Sequence, residues 1–231
     1  MSILDDPPRI ALGAGSRQQP LTRFGLIGDV HAEDERLALA VRLAHDEGAE
    51  AILCVGDVVD GFGDLDRTTE ILERERVHVV SGNHDRWFLH GTMRTLAPAH
   101  HRGEHPSAEA AARLWPPVLE VETVRGTLLL CHAVADDDFT FLKEHTHEDE
   151  IRENAAWMRL VRAGRHRFMA AGHTHQAMVR ILDDITILNP GTLKRDDLPR
   201  TSVVDLRAGT MRLFDLADPE APRLALTLAI P

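Results

Sequence analysis

Cysteine is scarce. Cys54 and Cys131 are the only two in the chain, and they lie in unrelated apolar runs. With no disulfide framework to build, both read as buried, reduced core thiols. Long hydrophobic runs are missing as well, so no segment reaches membrane-spanning length. The N-terminus lacks a basic region followed by an apolar core, which is the pattern of a secretory leader. Instead it holds Asp5, Asp6, Pro7 and Pro8, then a Gly/Ser/Gln stretch to Pro20. Residues 1–21 are therefore expected to be a flexible segment ahead of a single domain over 22–231, in a soluble cytoplasmic protein with no membrane partner. Positive charge is also short: 26 Lys and Arg stand against 37 Asp and Glu, for a formal net charge of −11. A sequence-independent grip on a nucleic-acid backbone needs a positive surface, so long duplexes are not expected as partners. Bound divalent cations would reverse the sign locally. Internal repeats and low-complexity tracts are absent too.

What is present is an ordinary globular composition, 43% hydrophobic and 27% charged over 231 residues, ample for a sizeable core. The 14 histidines are many for this length, and their positions carry the information. Phe24, Gly25, Leu26 and Ile27 form a short apolar run that ends in Gly28-Asp29-Val30-His31. An Asp and a His two apart, just past a strand end, can turn an oxygen and an imidazole nitrogen toward one metal ion. The device recurs after other apolar runs, at Gly56-Asp57, Gly82-Asn83-His84-Asp85, Cys131-His132 and Gly172-His173-Thr174-His175.

The spacing predicts strands at 24–28, 51–55 and 77–80. Between them lie a helix after Asp34 that carries Leu37, Val41 and Ala44, and a second helix capped by Asp64 or Asp66. Strand–helix alternation with short loops is the pattern of a parallel sheet with helices on its faces, where functional groups gather at the carboxyl ends of strands. Residues 91–117 break the rhythm and read as a surface excursion near the site, a lid, with a helix over 107–114. A hairpin is predicted at 118–123 and 127–131, its second strand delivering His132. A helix over 148–161 and a strand over 167–171 follow. Strands at 177–182, 185–188, 201–206 and 210–216 are expected to run antiparallel and to make a second sheet.

The strand-end groups Asp29, His31, Asp57, Asn83, His84, His132, His173 and His175 are more than one ion can use, since a tetrahedral zinc takes about four ligands. Two adjacent divalent ions account for the number. Such pairs sit about 3.5–4 Å apart and suit in-line displacement at phosphorus. They need a bridging carboxylate, and Asp57 stands alone at the end of the central strand. A His beside them suits protonation of the leaving group. An oxygen–nitrogen set accepts manganese, zinc, iron, nickel or cobalt, with manganese the first expectation.

In this order the motifs resemble the calcineurin-like metallophosphoesterase superfamily. The resemblance covers roughly residues 22–195. Gly172-His173-Thr174-His175 followed by Ile187-Leu188-Asn189-Pro190-Gly191-Thr192 is most similar to the small single-domain bacterial and archaeal phosphodiesterases. The resemblance implies an α/β fold of two packed, mainly mixed β-sheets flanked by helices. It implies that Asp29, His31 and His175 bind one metal, that Asn83, His132 and His173 bind the other, and that Asp57 bridges. It implies attack on a phosphodiester by a hydroxide between the ions, with His84 as general acid and Asp85 orienting it. Ala133 stands where these families usually have Gly. Gly61 and Phe62 follow Gly-Asp-Val-Val-Asp where the protein Ser/Thr phosphatases of the superfamily carry Arg, and Asp85 stands where they have Glu; both differences count against that subgroup.

Arg86, beside the proposed acid, reads equally as a clamp for a substrate phosphate and as an ion-pairing surface residue. His145 and His147 imitate the paired-His pattern but lack a preceding strand, and read as a solvated helix start. Asp60 and Asn189 read as turn residues, and Trp87, Trp115 and Trp157 as packing. The expected substrate is a phosphate ester, nucleotide-like in the first instance. Alternatives are a phosphomonoester, with the chain a protein or small-molecule phosphatase, or a dinucleotide polyphosphate. A non-catalytic scaffold on the same fold is the reading from another class. Oligomeric state is open.

Overall fold

A computed structural model describes residues 3–10, 19–218 and 220–231. Two mixed sheets pack face to face with helices outside both, as the resemblance implied. The first half of the chain builds most of one sheet: β1 (Arg23–Ile27), α1 (Asp34–Asp46), β2 (Ala51–Cys54), α2 (Leu65–Arg74) and β3 (His78–Val79). β1, β2 and β3 pair in parallel. Asp64 caps α2, its carboxylate accepting from the Arg67 N–H at 2.9 Å. Next come α3 (Asn83–His90), α4 (Pro106–Ala112), the hairpin β4 (Val118–Thr123) and β5 (Gly126–Cys131), α5 (Glu148–Glu153) and α6 (Ala155–Ala163). The predicted 148–161 helix is broken at Asn154, whose Oδ1 instead caps α6 by accepting from the Ala156 and Trp157 N–H groups. α3 had no counterpart in the sequence reading.

The remaining strands are β6 (His166–Ala170), β7 (Met178–Leu182), β8 (Ile185–Asn189), β9 (Arg200–Asp205), β10 (Thr210–Asp215) and β11 (Arg223–Ala229). They do not form one antiparallel sheet. β7 and β8 pair with each other, and β8 runs parallel to β6 in a sheet ordered β4-β5-β6-β8-β7. β9 then crosses back to pair antiparallel with β1, giving β11-β10-β9-β1-β2-β3. A period of two identifies a strand but not which of two sheets receives it.

Between the sheets, Phe24, Leu26, Leu53 and Val55 of the first meet Leu128, Leu130, Phe168 and Leu188 of the second. Burying such side chains contributes about 1.5–3 kcal/mol each. α1 and α2 cover the outer face of the first sheet, and α6, through Trp157 and Leu160, covers that of the second. Of the N-terminal segment expected to be loose, residues 1–2 and 11–18 lie outside the described residues. Residues 8–10 lie along β4, where Ile10 donates its N–H to the Glu120 carbonyl at 3.1 Å, and Leu4 is buried in the core beneath α6. Among the described residues no helix is long and apolar enough to cross a membrane.

Candidate metal centre and active site

Five strand ends converge. Asp29 and His31 follow β1, Asp57 follows β2, and Asn83 opens α3 just after β3. His132 follows β5, and His173 and His175 follow β6. The Gly172 N–H donates to the His132 carbonyl at 2.7 Å, tying two of these ends together. Asn189, read as a turn residue, does more: its Nδ2 donates to the Gly172 carbonyl and to Thr174 Oγ1, pinning the paired-His turn. Thr192 Oγ1 likewise donates to the Asp29 carbonyl at 2.8 Å.

The backbone is strained here. His31, Asp57, His173 and His175 all have positive φ, between 47° and 64°. Non-glycine residues hold that conformation at a cost of about 1–3 kcal/mol each and concentrate it at functional sites. Two glycines are sterically required. A Cβ on Gly82 would lie 2.2 Å from Asp57 Oδ1, and one on Gly172 would lie 2.6 Å from Asp29 Oδ2.

The side chains gather into two groups, Asp29 with His31 and His175, and Asp57 with His132 and His173; within each the donor atoms lie inside 4.8 Å of one another. The groups adjoin, with His132 Nδ1 3.9 Å from Asp29 Oδ1. Outer hydrogen bonds fix the rings. Nδ1 of His31 donates to the Asp60 carbonyl (2.9 Å), that of His132 to the Val55 carbonyl (2.8 Å), and that of His175 to Asp197 (2.7 Å). Each leaves Nε2 facing inward, the usual preparation of a metal-binding imidazole. Nε2 of His31 and Nε2 of His175 face each other at 3.1 Å.

This set fits cations. Asp29 Oδ1 accepts the His173 N–H at 2.9 Å, but its Oδ2 is buried without a hydrogen-bond partner. The Asn83 carboxamide lies 3.0 Å from His132 Nε2 and 2.9 Å from His173 Nδ1. With its oxygen turned to the rings, the carboxamide sets an acceptor beside two ring nitrogens, a donor set that a cation satisfies. Burial pulls His31 and His173 below the ordinary imidazole value, keeping them neutral and able to ligate. For His132 burial acts the same way, but the charge and hydrogen bond of Asp57 outweigh it and push the ring up to about 10.

His84 lines the cleft, but Asp85 does not orient it. Consecutive side chains on a helix diverge. The buried Asp85 carboxylate accepts from the N–H groups of Val58, Val59 and Gly82, fastening the loop that carries Asp57 to the start of α3. The partner of His84 is Asp60, Nδ1 to Oδ2 at 2.8 Å. Burial lowers His84, yet the Asp60 hydrogen bond and the charges of Asp57, Asp60 and Asp85 leave it above its ordinary value. Asp60 also takes both Nη1 and Nη2 of Arg94, each at 2.8 Å, and the His100 N–H at 2.9 Å. The 91–117 excursion is thus fastened to the site through Arg94, which the sequence reading missed. The Val-Val-Asp ending of the Asp57 turn was the available signal for Asp60. Arg86 is turned out of the cleft into a two-pronged pair with Asp138. His147 caps α5 at the surface, far from any ligand role.

The site opens into a cleft of about 380 Å³. Trp157 is buried in the core outside the second sheet and Trp115 packs against the separate core outside the first, but Trp87 lines the cleft together with Phe139 and Phe141, which the sequence reading did not single out.

A model of the calcineurin-like phosphoesterase superfamily domain matches residues 23–209. Phosphodiesterase MJ0936 of Methanocaldococcus jannaschii is 22% identical over 171 residues, which is 73% of this chain and 82% of that protein. Among solved structures, YfcE, a phosphoesterase from E. coli, superposes with a TM-score of 0.56 at 16% identity, over 90% of this chain and 100% of that one. Wild-type Vps29 from Entamoeba histolytica, complexed with zinc, superposes with a TM-score of 0.54 at 16% identity, over 90% and 98%. At these identities the structural likeness speaks for the fold.

Proposed function

The chain belongs to the calcineurin-like phosphoesterase superfamily and is a metal-dependent phosphoric ester hydrolase; from that premise we propose that it is a phosphodiesterase working with two divalent ions. The observation that carries this reading is the pair of adjoining ligand groups at the strand ends. Asp29, His31 and His175 would hold one ion, Asn83, His132 and His173 the other, with Asp57 between them. When bound, the ions, manganese in the first instance, supply an activated water and neutralise the phosphate oxygens.

The chain's own residues do the rest. Asp197 and the carbonyls of Val55 and Asp60 hold the ligating rings in the tautomer that presents Nε2 inward. Because Nδ1 of His84 is engaged by Asp60, Nε2 is the atom left to give a proton to the leaving oxygen. Asp60 stabilises the charged ring before transfer and fixes its orientation. Arg86, the candidate clamp for a monoester phosphate, is occupied by Asp138, which favours a diester. The inter-sheet core supports reading 22–231 as one domain, and the buried free thiols of Cys54 and Cys131 support a reducing, cytoplasmic setting.

The test is hydrolysis of bis(p-nitrophenyl) phosphate against p-nitrophenyl phosphate after chelator stripping and return of manganese. A metal-dependent preference for the diester, with turnover abolished by Asp57→Asn and reduced by His84→Ala in folded protein, is the expected result. Preference for the monoester, or full activity in both variants, would overturn the proposal.

A further inference from the structure

The cleft beside the proposed centre has an unusual wall. Soluble proteins rarely leave large apolar side chains clustered in the open without a use for them. Here Phe139 and Phe141 are 50% and 51% exposed, and Phe62, Met93 and Leu96 across the same cleft are 59%, 50% and 38% exposed. The rings form a connected series. Trp87 lies 4.8 Å from His84 and 5.9 Å from Phe139, Phe139 lies 5.9 Å from Phe141, and Phe141 lies 4.4 Å from His173. The series therefore runs from the proposed general acid to a proposed ligand of the second ion, along the side where the leaving group would be protonated.

The wall is also rigid. Asp137 Oδ1 accepts the N–H groups of Phe139 and Thr140, and its Oδ2 accepts the Thr140 hydroxyl. Asn154 Nδ2 donates to the same Thr140 hydroxyl at 2.9 Å. Arg86 clamps the adjacent Asp138 to α3. Two aromatic rings are thus held in place without being covered, the pre-organisation that makes binding efficient.

Charge narrows the occupant further. Among the described residues lining the cleft, Lys194 is the one Lys or Arg, and its Nζ lies 3.9 Å from Asp197. Arg86, Arg94 and Arg195 nearby are each paired, with Asp138, Asp60 and Glu33. Among the described residues, each of these cations already faces a carboxylate, so beyond the ions a second phosphate would have to compete for its partner.

We propose that the cleft takes a small phosphodiester with one phosphate and a flat aromatic ester group, seated against Trp87, Phe139 and Phe141. This rests on the phosphodiesterase reading above and selects within it against dinucleotide polyphosphates. A nucleoside and a simple aryl alcohol both supply such a group.

The test is calorimetric binding of benzyl-, cyclohexylmethyl- and methylphosphonate to the manganese-loaded chain, with turnover of bis(p-nitrophenyl) phosphate followed separately on the same protein. The phosphonates carry a P–C link, so binding is read without hydrolysis. Benzylphosphonate is expected to bind at least about tenfold more tightly than either of the others, a difference of about 1.4 kcal/mol. Phe139→Leu and Phe141→Leu keep apolar bulk at half-exposed positions while removing the ring, and should each cut that preference several-fold at unchanged metal content. Equal binding of benzyl- and methylphosphonate would overturn the inference. So would cyclohexylmethylphosphonate binding as tightly as the benzyl compound, or a preference that survives in both variants. An intact benzyl preference without turnover of the diester would uphold the seat and sink the reaction assigned to it. Replacing the benzyl arm with a nucleoside phosphonate then separates the two sources: tighter binding points to a nucleotide, weaker to an aryl ester.

Discussion

Asp60→Asn is the substitution that separates positioning of the proposed general acid from metal binding. The Asp60 side chain is 3% exposed and receives His84 Nδ1, both Arg94 terminal nitrogens and the His100 N–H. Asparagine keeps the shape, removes the charge and replaces one acceptor oxygen with a donor facing other donors. The bond from His31 Nδ1 goes to the Asp60 carbonyl, so the ligand ring stays fixed. Two losses follow. Arg94, 11% exposed, loses its partner, at a cost to stability of about 3 kcal/mol. His84 loses the acceptor that holds its charge and orientation; a positioned general acid is worth about 10²–10⁴-fold in rate. That loss should fall on substrates whose leaving group needs a proton. Turnover of an alkyl phosphodiester is expected to drop at least about a hundredfold. Turnover of bis(p-nitrophenyl) phosphate, whose leaving group departs readily as an anion, should drop about tenfold less. The assay is kcat on both substrates at equal, measured metal occupancy. His84→Ala should show the same split, and the double variant should be no worse than His84→Ala alone, because the two residues act as one unit. An equal drop on both substrates, or additive losses in the double variant, would refute the dyad.

Other expectations come from steric, packing and charge arguments. Gly82→Ala places a methyl 2.2 Å from Asp57 Oδ1, so metal analysis should find the protein depleted of an ion; full occupancy would contradict the placement of Asp57. Phe168→Ala empties a fully buried position between the sheets and should cost about 3–5 kcal/mol in denaturant unfolding; a loss under about 1 kcal/mol would argue against a shared core. Glu120 is buried against Arg165 and His166; burial raises its pKa, but those partners outweigh this and hold it below the ordinary carboxylate value. Its contribution is thus present above that ordinary value and lost as pH falls through the lowered one. Wild type should exceed Glu120→Gln in stability at neutral pH, the gap closing on acidification below about 4.3; a gap that persists unchanged in strong acid would show that the effect is not the charge.

Much of the candidate site was legible because each proposed ligand follows an apolar run, and a strand end fixes where the next residues point. Asp29, His31, Asp57, Asn83, His132, His173 and His175 were named as candidates in this way, and the fold brings them together. What was not legible needed contacts between distant segments. Asp85 looked like the partner of His84 by adjacency, while the actual partner, Asp60, lies 24 residues away in sequence. The helix α3 was hidden because its first turn is spent on the Asn83-His84-Asp85 motif, which reads as loop chemistry. The return of β9 to β1 leaves no local trace, since its alternation would suit either sheet. Phe139 and Phe141 sit in a polar loop with no periodicity to mark them, and only their shared cleft with Trp87 gives them meaning.

Two adjoining ion sites, not one, are proposed at the strand ends. Anomalous diffraction at the manganese edge, from crystals of the manganese-loaded chain, tests this most directly. Two peaks about 3.5–4 Å apart are expected, one against Asp29, His31 and His175, the other against Asn83, His132 and His173, with Asp57 touching both. A single peak, or a second one away from these residues, would contradict the paired sites.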